Sequence, residues 1–241
     1  MRDIWDNGIE EGESLWRYLT ADRCVFLLEN ARVYFAAATQ FADPFEGAVA
    51  VQPHDFPIDP RYPELDSAEN AFRELKRLTK INCWHRANYE SDAMWKLYAG
   101  QGKGVAICST PDRMRAAFQA FRLAPNYGAE DIWGGQVRYE DLLKVRMNVS
   151  MLHRFFYKHQ AFAWEREFRL AILVRMAEEF GVAVPEHGIE VTVDIGALVE
   201  RIMLGPALSG PDRDLIVQHA QKVGLGDCLA VSSLLGRPRY V

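Results

Sequence analysis

Hydrophobic and polar residues alternate along this chain in two rhythms, a period of two in short runs and a helical spacing in longer ones. Ser14 to Leu19 is the first strand-like run, with Trp16 and Tyr18 on one face and Arg17 on the other. Thr20-Ala21-Asp22 supplies a helix start, and Asp22 to Glu29 reads as a short helix that Asn30 ends. Arg32 to Ala37 is a second strand, and a loop from Thr39 to Gly47 follows in which Asp43-Pro44 signals a turn. Ser67 to Lys80 has helical periodicity through Ala71, Phe72, Leu75 and Leu78, and Ile81 to His85 returns to strand. Ser91-Asp92 caps a helix with Met94, Trp95 and Tyr98 on its apolar side. Val105 to Cys108 is a strand, Pro111 opens a helix running to about Phe121, and Gln136 to Tyr139 is another strand. Asp141 to Phe162 is the longest helical stretch. Later strands are expected at Ile189 to Val193, within Leu198 to Leu204 and from Cys228 to Leu234, with a helix from Gly210 to Gly224. Residues 1–13 are acidic and irregular and read as a loosely held arm, and the proline-rich stretch Pro53 to Pro63 as an exposed excursion. The uneven alternation of strands and helices predicts an α+β fold over residues 14–241, a single domain with a mixed, mostly antiparallel sheet and flanking helices.

The stretch around which the rest is organised is Trp164 to Leu173, charge-dense at its start and apolar at its end. Read as a strand, it puts Glu165, Glu167 and Arg169 on one side and Trp164, Arg166, Phe168, Leu170 and Ile172 on the other. Side chains on one face of a strand stand about 6 to 7 Å apart, so the charged row either forms a solvated ladder of ion pairs or lines a cleft.

The balance of residues is that of a soluble globular protein, 49% hydrophobic and 25% charged. A net charge of −5 gives no overall pull towards nucleic acid or an anionic membrane. The cysteines (Cys24, Cys83, Cys108, Cys228) form no CxxC pair, and no signal peptide or membrane-length apolar run is present in the sequence, so a cytoplasmic, reduced chain is expected. Gly100-Gln101-Gly102-Lys103-Gly104 lies after a helix and before a strand, the reverse of a Walker A loop, and reads as a tight connection. His85 has no second histidine at ligand spacing, His153 and His159 do not share a helical face, and no GxSxG surrounds Ser109, so neither a metal site nor a serine hydrolase is expected. Trp95 and Tyr98 suit either core packing or a pocket wall. Arg17, one charge between two aromatics, points to a cleft or to solvent.

Several blocks occur in one order: Leu15-Trp16-Arg17-Tyr18, Asn30 to Phe35, Phe41-Ala42-Asp43-Pro44-Phe45-Glu46, Met94-Trp95-Lys96-Leu97-Tyr98-Ala99, Trp164 to Arg169, and Ile202-Met203-Leu204-Gly205. In these the chain resembles the bacterial family called domain of unknown function 2971, over most of its length, with Ala42 where asparagine is usual. That family name carries no activity. The order of an early strand with arginine, a second strand, and a late strand with Glu-x-Glu is similar to that of ADP-ribosyltransferases. This second resemblance implies NAD as substrate and an ADP-ribosyltransferase-like fold. Arg17 would contact its phosphates or ribose, and Tyr34 or Thr39 would belong to the nicotinamide side. Phe41, Asp43, Trp95 and Tyr98 complete the implied binding set. Glu167 would stabilise the cationic sugar as nicotinamide leaves, and Glu165 would orient the acceptor. Ala36-Ala37-Ala38-Thr39 stands where such enzymes have Ser-Thr-Ser.

The resulting expectation is an NAD-consuming transferase or glycohydrolase, a bacterial anti-phage defence or toxin effector acting on a protein or nucleic-acid acceptor, with a partner protein of that system and no membrane. The rivals are a nucleic-acid-processing enzyme using Glu165 and Glu167, and a non-catalytic binding or assembly module presenting Phe41, Phe45, Trp95 and Tyr98.

Overall fold

The computed structural model describes residues 1–5, 12–49 and 64–235, and the proline-rich stretch Pro53 to Pro63 lies outside them. In chain order the elements begin with β1 (Arg2–Asp3), β2 (Leu15–Leu19), α1 (Ala21–Asn30), β3 (Arg32–Ala37), α2 (Glu64–Leu78) and β4 (Thr79–Arg86). They continue with α3 (Asp92–Tyr98), β5 (Val105–Ser109), α4 (Pro111–Ala117), β6 (Trp133–Gln136), β7 (Arg138–Glu140), β8 (Tyr157–His159) and β9 (Glu167–Leu173). The last are α5 (Arg175–Glu179), β10 (Ile189–Thr192), α6 (Ile195–Leu198), β11 (Arg201–Leu204), α7 (Gly210–Lys222) and β12 (Leu229–Val231). The class is α+β with a mixed, mostly antiparallel sheet: β2/β4, β2/β5, β5/β11, β3/β4 and β6/β9 are antiparallel, and β1/β6, β11/β12 and β7/β8 are parallel.

Contacts cluster in two compact units, one of Met1–Gly8, Tyr34–Cys83 and Ala120–Glu190, the other of Ile9–Val33, Trp84–Gln119 and Val191–Val241. In the first, β6 lies between β1 and β9, and its register with β9 runs from Trp133↔Ala171 to Gln136↔Phe168. Gly134 and Gly135 fit there because a Cβ would meet Met1 Sδ at 2.6 Å and Ile4 Cγ2 at 2.3 Å. Residues 1–5 are therefore no loose arm: β1 pairs with β6, Ile4 and Trp5 are buried, and the Trp5 indole donates to Gln136 O at 2.8 Å. Two large side chains leaving water hold the end down.

The second unit is built around β2, whose five residues pair with β5 from Leu15↔Ser109 to Leu19↔Val105. Trp16, Tyr18 and Trp95 are buried together; Tyr18 and Trp95 meet edge to face at 5.0 Å, and the Trp16 indole donates to Ala87 O at 2.8 Å. Ser91 caps α3 by accepting from Met94 N–H and Pro111 lies in the first turn of α4, as the spacing predicts, and Thr110 caps α4 by accepting from Arg113 N–H. The glycine run is a connection: Gly100, Gln101 and Gly102 all have positive φ, and a Cβ on Gly104 would stand 2.0 Å from Leu19 O.

The long helix expected from Asp141 to Phe162 does not form. In its place are a 3-10 turn over His153–Phe156 and the strand β8. Phe155, Phe156 and Lys158 are all buried, and the backbone from Tyr157 to His159 pairs with β7, from Arg138↔Tyr157 to Glu140↔His159. Pairing with a strand distant in sequence takes the place of the i to i−4 bonds a helix would make there.

Candidate functional site

The organising stretch also differs from its expected form. Gln160–Glu165 is a 3-10 turn, Arg166 has φ 44 in the left-handed region, and only then does β9 begin at Glu167. Left-handed backbone is uncommon for a residue with a side chain. Here it reverses the chain so that Glu165, outside the strand, still reaches the same partner as Glu167. That partner is Lys158, on β8. Its Nζ donates to Glu165 and to Glu167 Oε1, the latter at 2.7 Å.

Arg169 extends the cluster. Its Nε donates to Glu167 Oε2 at 2.5 Å, and its terminal nitrogens grip both oxygens of Glu46 at 2.6 and 3.0 Å. Phe155 O accepts a further bond from Arg169 at 2.6 Å, and the Glu167 amide donates to Tyr139 Oη at 2.7 Å. Three carboxylates thus share two cations, and the row expected to be either solvated or cleft-lining is enclosed. Arg169 and Glu46 have no exposed side-chain surface, and Glu165, Glu167 and Lys158 retain 8% or less. Burying such ions carries a desolvation penalty of several kcal/mol each before pairing offsets it.

Burial and the neighbouring charges divide the carboxylates. Desolvation, the hydrogen bond from Glu165 to Glu167 and the Glu167 charge push Glu165 up to about 7. Burial alone would raise Glu167 too, but the Arg169 charge, the Glu165 hydrogen bond and Lys158 outweigh it and hold Glu167 well below the usual range. Glu46 is raised by burial despite Arg169. Burial would lower Lys158 and Arg169, yet the Glu167 charge carries both above their ordinary values. One carboxyl therefore holds a proton near neutrality beside another that does not. The chain around Glu165 reaches the surface, since Ala161, Ala163, Trp164 and Arg166 are exposed.

The other expected site residues are distributed as follows. Phe41 packs in this unit with the Arg169 guanidinium 5.6 Å from its ring. Asp43 is buried and braces its turn, accepting the Phe45 amide at 2.9 Å. Tyr34 is half-exposed, its hydroxyl donating to Gln40 Oε1 and accepting from the Gly188 amide. Thr39 lies exposed in the 3-10 turn after β3. Arg17, Trp95 and Tyr98 belong to the second unit. Arg17 lies over the Trp84 ring at 5.9 Å. Trp95 is a core residue, 1% exposed, with its indole on Glu90 at 3.0 Å, so it is no pocket wall. Tyr98 is exposed.

Lys158 and the pairing role of Glu46 escape the sequence pattern. The available signal was a single charge, Lys158, directly after the aromatic run Phe155-Phe156-Tyr157, where a buried cation needs a partner. Among the described residues no group of three or more His, Cys, Asp or Glu side chains is arranged to hold a metal ion, and no helix is long and apolar enough to cross a membrane. The cysteines are unbridged. No protein-family model, curated protein or solved structure matches the chain.

Proposed function

We propose that this protein is an enzyme that breaks the nicotinamide–ribose bond of NAD and passes the sugar to an acceptor, with Glu165 and Glu167 as its working pair. The observation that carries this is the division of two carboxyls on one ammonium, Lys158, into a stable anion and a proton-exchanging partner. Titratable neighbours pushed apart in this way mark acid–base assignments in enzymes. In the step itself the C1′–N bond breaks and nicotinamide leaves as a neutral molecule. The Glu167 anion stabilises the positive charge that grows on the sugar. A C1′–O bond to the acceptor forms, and Glu165 takes the acceptor's proton, a task suited to a base poised near the working pH. NAD itself, a protein or nucleic-acid acceptor, and a place in bacterial defence follow from the resemblance to ADP-ribosyltransferases and to the family of unknown function.

Incubation with NAD, with and without cell extract, tests this by nicotinamide release and acceptor labelling. Activity should rise as pH rises through about 7, Glu167→Gln should lose about a hundredfold or more, and Glu165→Gln should lose labelling more than cleavage. Wild-type protein that releases no nicotinamide under any of these conditions, or Glu167→Gln that keeps full release, overturns it. The complete burial of Arg169 and Glu46 favours a second reading: the network fastens the 43–48 turn to β9. On that reading the variants lose melting temperature and there is no activity to lose.

A further inference from the structure

Apart from the glutamates, an exposed hydroxyl and a half-buried imidazole of the first unit stand in contact. Ser150 Oγ lies 2.6 Å from His153 Nδ1, and the other ring nitrogen, Nε2, lies 2.9 Å from Ile4 O. A carbonyl oxygen only accepts, so the hydrogen between Nε2 and Ile4 O belongs to Nε2. In that tautomer Nδ1 offers a lone pair, and the Ser150 hydroxyl donates to it. Ser150 Oγ also accepts from the His153 amide at 3.2 Å, so its hydrogen and one of its lone pairs are both directed. Ser150 is exposed, which leaves the oxygen open to a reagent.

The group behind the ring is held firmly. Ile4 is 4% exposed, its amide donates to Gly134 O at 2.9 Å, and the neighbouring Trp5 ring packs 5.5 Å from that of His153. A serine that only caps a turn needs to accept an amide and nothing more. Ser109 and Ser232 donate their hydrogens to Leu198 O and to Glu90; Ser150 directs its own at a base. A nucleophile in contact with a base that a third group orients is the arrangement of an activated hydroxyl. It is recognised by geometry and does not require a GxSxG sequence.

We propose that Ser150 is a nucleophile with His153 as its general base and Ile4 O as the positioning group, and that it takes the acyl group of small esters whose leaving group is a phenol or a thiol. Ser150 Oγ bonds to the acyl carbon, its proton passes to His153 Nδ1, and the bond to the leaving group breaks as that group carries the proton away. Water then attacks the acyl-serine, Nδ1 takes the water's proton, and Ser150 Oγ recovers it as the acid departs. A neutral carbonyl stands behind the ring in place of a carboxylate, so the imidazolium is stabilised less than in a Ser-His-Asp triad. A leaving group that departs readily is therefore needed. The activity uses neither NAD nor the two glutamates, so it stands or falls apart from the function proposed above.

A fluorophosphonate probe reports the first step, because an Oγ–P bond forms as the P–F bond breaks and fluoride leaves with the proton. Folded wild-type protein should be labelled on the peptide that holds Ser150, the urea-unfolded chain should not, and nitrophenyl acetate should be hydrolysed faster by wild type than by Ser150→Ala. His153→Phe keeps a ring beside Trp5 but has no base, and should slow the labelling by about a hundredfold or more. Ser150→Cys gives a measurement that leaves His153 in place. Near pH 6 its thiol should react with iodoacetamide about tenfold faster in the folded protein than in urea, because an imidazole partner favours the thiolate. Should His153→Phe not fold, that comparison decides alone. No labelling of Ser150 in the folded protein, equal labelling in a folded His153→Phe, or a cysteine no more reactive folded than unfolded overturns the proposal and leaves Ser150 as a turn cap.

Discussion

Glu165→Gln is the most informative single change, because the amide keeps the shape of the protonated carboxyl and its hydrogen bond to Glu167 while removing the titration. Glu165 is raised from 4.5 to about 7, and at about 1.4 kcal/mol per tenfold change in proton affinity the fold holds that proton by about 3 kcal/mol. The sign follows from which state binds more protons. Between pH 4.5 and 7 the folded chain keeps a proton on Glu165 that the unfolded chain releases. The contribution is therefore complete below 4.5 and is lost as pH rises through about 7. Glu46, also raised, adds to the same slope. Glu167 acts oppositely, but a lowered carboxyl gives its full contribution above its ordinary value of 4.5, so it adds little slope above pH 5. Urea unfolding of wild type at several pH values from 5 to 8 should give a stability that falls by up to about 3 kcal/mol. The glutamine variant should show a much shallower slope, from Glu46, and should be the more stable protein at pH 8. Parallel curves for the two proteins, or a wild-type stability that rises with pH, would refute the shared-proton account.

Two further outcomes are expected. Arg169→Met leaves Glu46 and Glu167 buried without their guanidinium and should cost about 3 to 5 kcal/mol in urea unfolding; adding Glu46→Met should restore part of it. Arg166→Gly relieves a side chain at φ 44 and should raise stability by about 1 kcal/mol, a gain that differential scanning calorimetry resolves as a higher melting temperature.

Periodicity and capping chemistry are local, and they placed β2, β3, α1 and the starts of α3 and α4 within a residue or two. Ser91, Thr110 and Pro111 act on amides no more than a few residues away, so no distant part of the chain is needed to read them. The Glu165, Glu167 and Arg169 row was legible in the same way, as charges clustered ahead of an apolar run. Its environment was not. Whether such a row faces water or protein depends on Lys158 and Glu46, and Glu46 lies 123 residues from Arg169 in sequence. No spacing rule spans that distance. Lys158 sat inside a stretch whose periodicity reads as helix; pairing of β8 with β7 and the packing of Phe155 and Phe156 into the core made it a 3-10 turn and a strand. Local propensity is worth a few tenths of a kcal/mol per residue, whereas burying each phenylalanine contributes about 2 kcal/mol, so the tertiary core decided that segment and, with it, the partners of both glutamates.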